Sequence, residues 1–308
     1  MKPLNFLIIG AQKSGTTSLF KYLNQHPDIA MPADKEAPYF TNDELYSAGW
    51  QHYLDNYFTG YDQELLWGTA SPQYMSDLRA AQRITRDLPD TRLVAILRNP
   101  IERAYSHYLM QKRRGLEERS FDSALDTLLL QQSLNHARTH QPVFNATMNY
   151  EDESGHYLVL GEYGRILEAY RHYFERGQML VIFMDELTAQ PHQTVARVLE
   201  FIGANNDSLP DNVGKVYHQG GSKQFIPNAW RNVLKTNAAF RAFWDRVPER
   251  TKSSIRYWYD QKNVRKASGQ EAPSENAKQR LADFYRNDMV QLQSLTNQAV
   301  PWGEFSGE

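Results

Sequence analysis

With 308 residues, of which 41% are hydrophobic and 23% charged, the chain has the composition of a globular protein that buries a sizeable core, which excludes a disordered one. Its formal charge of −2, from 34 Lys and Arg against 36 Asp and Glu, provides no global field for nucleic acid or an anionic membrane, so an anionic ligand must meet a local basic pocket. The absence of cysteine excludes disulfides, thiolate metal sites and cysteine nucleophiles.

In chain order, the first element is the apolar run 6–9, which Gly10 ends. A signal peptide needs a longer apolar core and a small-residue cleavage site, so this run reads as a strand. A glycine loop follows, then a helix from Thr17 to Leu23 that stops at His26-Pro27, where His26 reads as a helix end. The next apolar run, 93–97, leads through Arg98 and Asn99 into a helix that Pro100 starts and that continues from Ile101 to about Arg114. Helical spacing returns over 166–174 and 193–202, the latter closed by Gly203, with a third strand over 180–184 between them. Residues 217–228 are rich in Gly, Ser and Lys and read as a functional loop; 230–259 and 275–295 read as helices, and the polar stretch 262–274 as a surface segment. No run approaches 18 apolar residues, so no membrane span is expected and the protein reads as cytoplasmic. Short apolar strands alternating with helical segments predict an α/β fold: a single domain over 1–308 with a central parallel sheet flanked by helices, the C-terminal helices from about 230 packing on the same core.

The segment with the most chemical content is Gly10-Ala11-Gln12-Lys13-Ser14-Gly15-Thr16-Thr17-Ser18, a tight turn between a strand and a helix. Such a turn directs backbone N–H groups and the positive end of a helix at an anion. A nucleotide kinase or ATPase would carry lysine directly after the second glycine. Here Gly10 and Gly15 keep that spacing, but Thr16 occupies the lysine position and the lysine sits inside the loop at Lys13. The second block is Arg98 at the end of its strand, where a guanidinium and the N–H groups of a proline-started helix can converge on a phosphate, with Ser106 two turns along that helix. No acidic residue ends the 93–97 strand, which argues against a magnesium carboxylate there.

These two blocks resemble the 5′-phosphosulfate loop and the 3′-phosphate motif of the sulfotransferases that use 3′-phosphoadenosine 5′-phosphosulfate (PAPS), in particular the heparan sulfate sulfotransferase-like branch with its bacterial relatives. The resemblance implies a P-loop-kinase-like topology and a transfer of the sulfuryl group from PAPS to a hydroxyl or amine of a glycan or small-molecule acceptor, with adenosine 3′,5′-bisphosphate as product and no metal. It implies that Gln12, Lys13, Ser14, Gly15, Thr16, Thr17 and Ser18 hold the 5′ side of the nucleotide, and that Arg98 and Ser106 hold its 3′-phosphate. Gln219-Gly220-Gly221-Ser222-Lys223 is similar to the family's nucleotide-closing loop, so Ser222 and Lys223 join that set; the family often continues Lys-Gly-Arg, and this chain has Lys223-Gln224-Phe225.

For chemistry, Lys13 is placed to neutralise the bridging oxygen as its bond breaks. The segment 31–40 looks like the family's stretch in which a glutamate precedes two aromatics, which makes Glu36, ahead of Tyr39-Phe40, the expected base. Lys35 is an acceptor or sulfate contact or a solvated side chain, and His107 is the next base to consider. Glycan-modifying members often place a lysine in the block 68–74, where this chain has Thr69 and Ala70. The aromatic residues, 18 Tyr and 6 Trp among them, read as core in the main. Two alternatives stay open on the residues alone: a nucleotide kinase or NTPase of similar topology, and a non-catalytic nucleotide-binding module.

Overall fold

The computed structural model describes residues 2–33, 35–140, 153–207, 209–215, 217, 247 and 272–306. Five strands, β1 Phe6–Gly10, β2 Ile29–Ala30, β3 Leu66–Ala70, β4 Arg92–Leu97 and β5 Met179–Phe183, form one parallel sheet in the order β2-β3-β1-β4-β5. Side chains of β1 and β4 alternate between its two faces. Leu7, Ile9, Leu93, Ala95 and Leu97 enter one core, while Phe6, Ile8, Val94 and Ile96 enter the other. Both faces are covered, which explains why these strands are unbroken apolar runs in the sequence.

The helices are α1 Thr16–Leu23, α2 Asp43–Ala48, α3 Trp50–Tyr57, α4 Leu78–Asp87, α5 Pro100–Arg114, α6 Phe121–Leu128, α7 Gln131–Thr139, α8 Tyr163–Arg171, α9 Met184–Ala189, α10 Pro191–Ile202 and α11 Glu275–Thr296. α1 and α10 pack on one face through Leu19, Leu23, Val195 and Leu199. On the other lie α4, α5, α8 and α11, through Ile84, Ala104, Ile166 and Tyr285. The C-terminal helix α11 is bound to α8 by Asp288, whose carboxylate accepts the N–H groups of Gly164 and Arg165 at 2.9 Å each and so caps the start of α8.

Several boundaries move. The third predicted strand ends at Phe183, because Met184 opens α9, and the helix expected over 166–174 lies at Tyr163–Arg171. β2 and β3 escape the sequence reading: β2 has two residues, and Gly68 interrupts the apolar run of β3. Glycine is required there, since a Cβ on residue 68 would lie 2.2 Å from the Phe6 ring on the neighbouring strand. The predicted helix 230–259 lies outside the described residues except at position 247. No described helix is long and apolar enough to cross a membrane.

Candidate active site

The phosphate loop leaves β1 at the C-terminal edge of the sheet, beside β4. Ala11 N–H donates to Ile96 O at 2.8 Å, which pins the start of the loop to β4. Gly10 has no room for a side chain, because a Cβ would meet Met75 at 2.6 Å. Lys13 (φ 71°) and Gly15 (φ 93°) both take left-handed backbone, the alternation that turns successive amides toward one concavity at the N-terminus of α1. Desolvation and the charges of Arg113, Arg114 and Arg98 push the pKa of Lys13 down to about 7, with Glu153 opposing them.

Asn99 and Pro100 explain the second block. The Asn99 side chain accepts the N–H groups of Ile101 (2.9 Å) and Glu102 (3.4 Å), and Pro100 occupies the first helical position, so α5 begins directly after Arg98. The buried Tyr163 hydroxyl donates to Arg98 O at 2.9 Å, which fixes the backbone from which the guanidinium projects. That guanidinium is paired with Glu102 Oε2 at 2.8 and 3.0 Å. Ser106 lies half-buried on α5, two turns along.

Glu36 is positioned by aromatic packing. The hydroxyls of Tyr74 (2.8 Å) and Tyr53 (3.3 Å) both donate to Ala37 O, and Tyr39 packs against Trp50 and Tyr53 with ring centroids 5.0 and 4.9 Å apart. Its carboxylate receives Lys35 Nζ at 3.3 Å on one oxygen and Gln73 Nε2 at 2.7 Å on the other. The Glu36 side chain is half exposed, and the desolvation it does suffer would by itself raise its pKa. The Lys35 charge and the hydrogen bonds from Gln73 and Lys35 outweigh it, and the carboxyl is held below its ordinary range. Lys35 itself is buried, so its reading as a solvated side chain is corrected. Arg114 acts electrostatically on Lys13, on Glu36 and on Glu153, so these groups share one basin of charge at the end of α5.

The two histidines have structural places. His26 accepts Asp28 N–H on Nδ1 at 3.2 Å and faces Asn205 O through Nε2 at 2.8 Å, which closes the end of α1. His107 is fully buried, 2.5 Å from Glu153 and 3.4 Å from Arg103. Arginine only donates, so Nδ1 of His107 accepts from Arg103 and Nε2 carries the proton given to Glu153. With both ring nitrogens occupied, His107 has no lone pair for an acceptor proton. Ser222 and Lys223 lie outside the described residues. Sequence reading missed Gln73, which belongs to the block 68–74 and has no chemical signature of its own, and Glu153, Arg113 and Arg114, which belong to no motif.

A model of the sulfotransferase domain matches residues 3–253. The chain belongs to the sulfotransferase family. Among curated relatives of this sulfotransferase, the mouse bifunctional heparan sulfate N-deacetylase/N-sulfotransferase 4 is 25% identical over 312 residues, covering 94% of this chain and 29% of that one. The mouse heparan sulfate glucosamine 3-O-sulfotransferase 3A1 is 28% identical over 198 residues, covering 64% of this chain and 45% of that one. The chain thus spans less than half the length of these relatives. A solved sulfotransferase from Alicyclobacillus acidocaldarius superposes with a TM-score of 0.65 at 24% identity, covering 97% of this chain and 98% of that one, which supports the α/β sheet topology expected from the sequence.

Proposed function

We propose that this sulfotransferase moves the sulfuryl group of PAPS onto a hydroxyl or amine of a glycan or small-molecule acceptor by in-line displacement, within one domain spanning 1–308. What supports the reading is a left-handed glycine loop whose Lys13 feels the charges of Arg98 and Arg114, together with a Glu36 carboxylate held low by Lys35, Gln73 and the same Arg114. These residues fit an anionic donor with two phosphate centres. The loop 12–18 offers amides, hydroxyls and one ammonium to the 5′ side; Arg98 and Ser106, and by resemblance Ser222 and Lys223, face the 3′ side.

In this reading Glu36 takes the proton of the acceptor as the acceptor's oxygen or nitrogen forms its bond to sulfur. Lys13 neutralises the charge that collects on the phosphate oxygen as the bridging bond to sulfur breaks, and adenosine 3′,5′-bisphosphate is left in the loop. Incubation of the chain with ³⁵S-labelled PAPS and a panel of glycans, phenols, aliphatic alcohols and amines tests the proposal. Labelled acceptor is the expected result. Turnover of ATP with magnesium in place of PAPS overturns it in favour of a kinase, and PAPS binding without transfer to any member of the panel favours a binding module.

A further inference from the structure

Glu153 is a buried carboxylate beside the phosphate loop, only 3% exposed, and it lies between two elements of the site. Its Oε2 accepts the amide of Gln12, a loop residue, at 3.1 Å, and the Nε2–H of His107, a residue of α5, at 2.5 Å. Behind His107 stands Arg103, fully buried, which donates to Nδ1 of His107 and to Tyr157 O. The neutral imidazole and the amide satisfy lone pairs of the carboxylate but leave its charge uncancelled. A buried anion is costly unless cations face it. Those cations are Lys13 in the loop and Arg114 at the end of α5, with Arg103 one residue removed.

The balance works in the other direction as well. Lys13 faces Arg98 from the end of β4 and Arg113 and Arg114 from α5, and Glu153 is a carboxylate that acts on it in the favourable sense. A loop lysine surrounded by guanidinium groups sheds its proton to water unless an anion is at hand, and before the donor arrives that anion has to come from the protein.

We propose that Glu153 is a positioning residue for sulfuryl transfer: it tethers the phosphate loop through Gln12 and sets a negative charge against the arginines that surround Lys13. The inference rests on the reading of Lys13 as the cation of the site, and it gives a role to a buried carboxylate that belongs to no sequence motif. His107 and Arg103 supply the geometry, holding the carboxylate toward the loop rather than toward solvent.

Competitive labelling with acetic anhydride across pH 6–10, with the Lys13 peptide followed by mass spectrometry, reads the ionisation of this amine without reference to turnover. In E153Q, which keeps the hydrogen-bond acceptor and removes the charge, the midpoint for Lys13 falls by about one pH unit, and in E153D it stays close to wild type. An unchanged or raised midpoint in folded E153Q overturns the proposal. The pH dependence of kcat separates the two readings: a Lys13 midpoint that moves while the alkaline limb of kcat stays put leaves Glu153 in its role and removes Lys13 from catalysis. Should E153Q fail to fold, Q12A leaves every charge in place and removes the tether together with the amide that the loop offers to the donor, so the tether is read without donor or turnover: limited proteolysis of the donor-free chain is expected to cut the loop 10–18 about tenfold faster than in wild type, and an unchanged rate overturns the tether.

Discussion

At the scale of single residues, the two groups proposed to do chemistry carry opposite pH signatures. Glu36 is held below the ordinary glutamate range by Lys35 and Gln73, so it remains a base over most of the usable pH range. E36Q keeps the shape and loses the proton acceptor, and transfer to an aliphatic alcohol is expected to fall roughly 10²–10⁴-fold with donor affinity near wild type; steady-state kinetics with an alcohol and an acidic phenol check this, the phenol being less affected. Removing the Lys35 charge in K35M raises the pKa of Glu36, so the acid limb of kcat/KM moves to higher pH. Lys13 behaves in reverse. Its charge in the free chain is present below about pH 7 and lost above it, and a bound anion favours the charged form. Donor binding at pH 8 is therefore expected to draw in a proton, about one per site, measured by calorimetry in buffers of different ionisation enthalpy. K13M abolishes that uptake, and K13A lowers turnover more than it lowers donor affinity.

At the scale of elements, α5 organises the proposed 3′ side. Asn99 caps it, Pro100 starts it, and Arg98 stands one residue before the cap. N99A removes two accepted N–H groups and is expected to cost about 1 kcal/mol of stability, read by chemical denaturation, and to weaken adenosine 3′,5′-bisphosphate by letting Arg98 wander. The Arg98–Glu102 pair is a second handle on the same element. In the proposed reading a 3′-phosphate competes with Glu102 for the Nε and Nη2 edge of the guanidinium, and an i,i+4 pair of this kind contributes roughly 0.3–0.5 kcal/mol. E102Q is expected to tighten adenosine 3′,5′-bisphosphate about twofold and to leave adenosine 5′-phosphosulfate, which lacks the 3′-phosphate, unaffected. R98A weakens the first ligand and spares the second.

At the scale of the molecule, the buried chain Arg103–His107–Glu153–Gln12 joins α5 to the phosphate loop and makes stability depend on pH. Burial lowers the pKa of His107 to about 4, against roughly 6.5 in an unfolded chain. The unfolded state therefore takes up the histidine proton first, and stability falls as pH drops from about 6.5 toward 4. Asp288, raised to about 6 by burial, works against this: the folded state binds its proton first, and stability from this group is lost as pH rises from about 4 through 6. The difference between wild type and H107Q isolates the histidine. Denaturation at pH 7 and pH 4.5 is expected to show the mutant losing less, by up to about 3 kcal/mol.

What the sequence determined by itself is the part of the protein written in consecutive residues. β1, β4 and β5 are unbroken apolar runs because both faces of a parallel sheet are covered, and the phosphate loop and the start of α5 are local structures whose glycines, proline and asparagine act over a few bonds. The sulfotransferase family was legible for the same reason, since both motifs that carry the resemblance are contiguous. Only the tertiary structure decided the rest. β3 is a strand through its pairing with β1 and β2, with Phe6 packed over Gly68, and a glycine in a five-residue run hides that fact until the neighbours are known. Lys35 is buried, and the Glu36 carboxyl is held low by the Lys35 charge and by Gln73, which lies 37 residues along the chain beyond the end of β3. The separation between Gln12 and Glu153 is 141 residues, and no local pattern encodes a hydrogen bond at that distance. Charge balance at the loop arises from groups on β4, α5 and the segment at Glu153, and a field summed over separate elements exists only once the chain has folded.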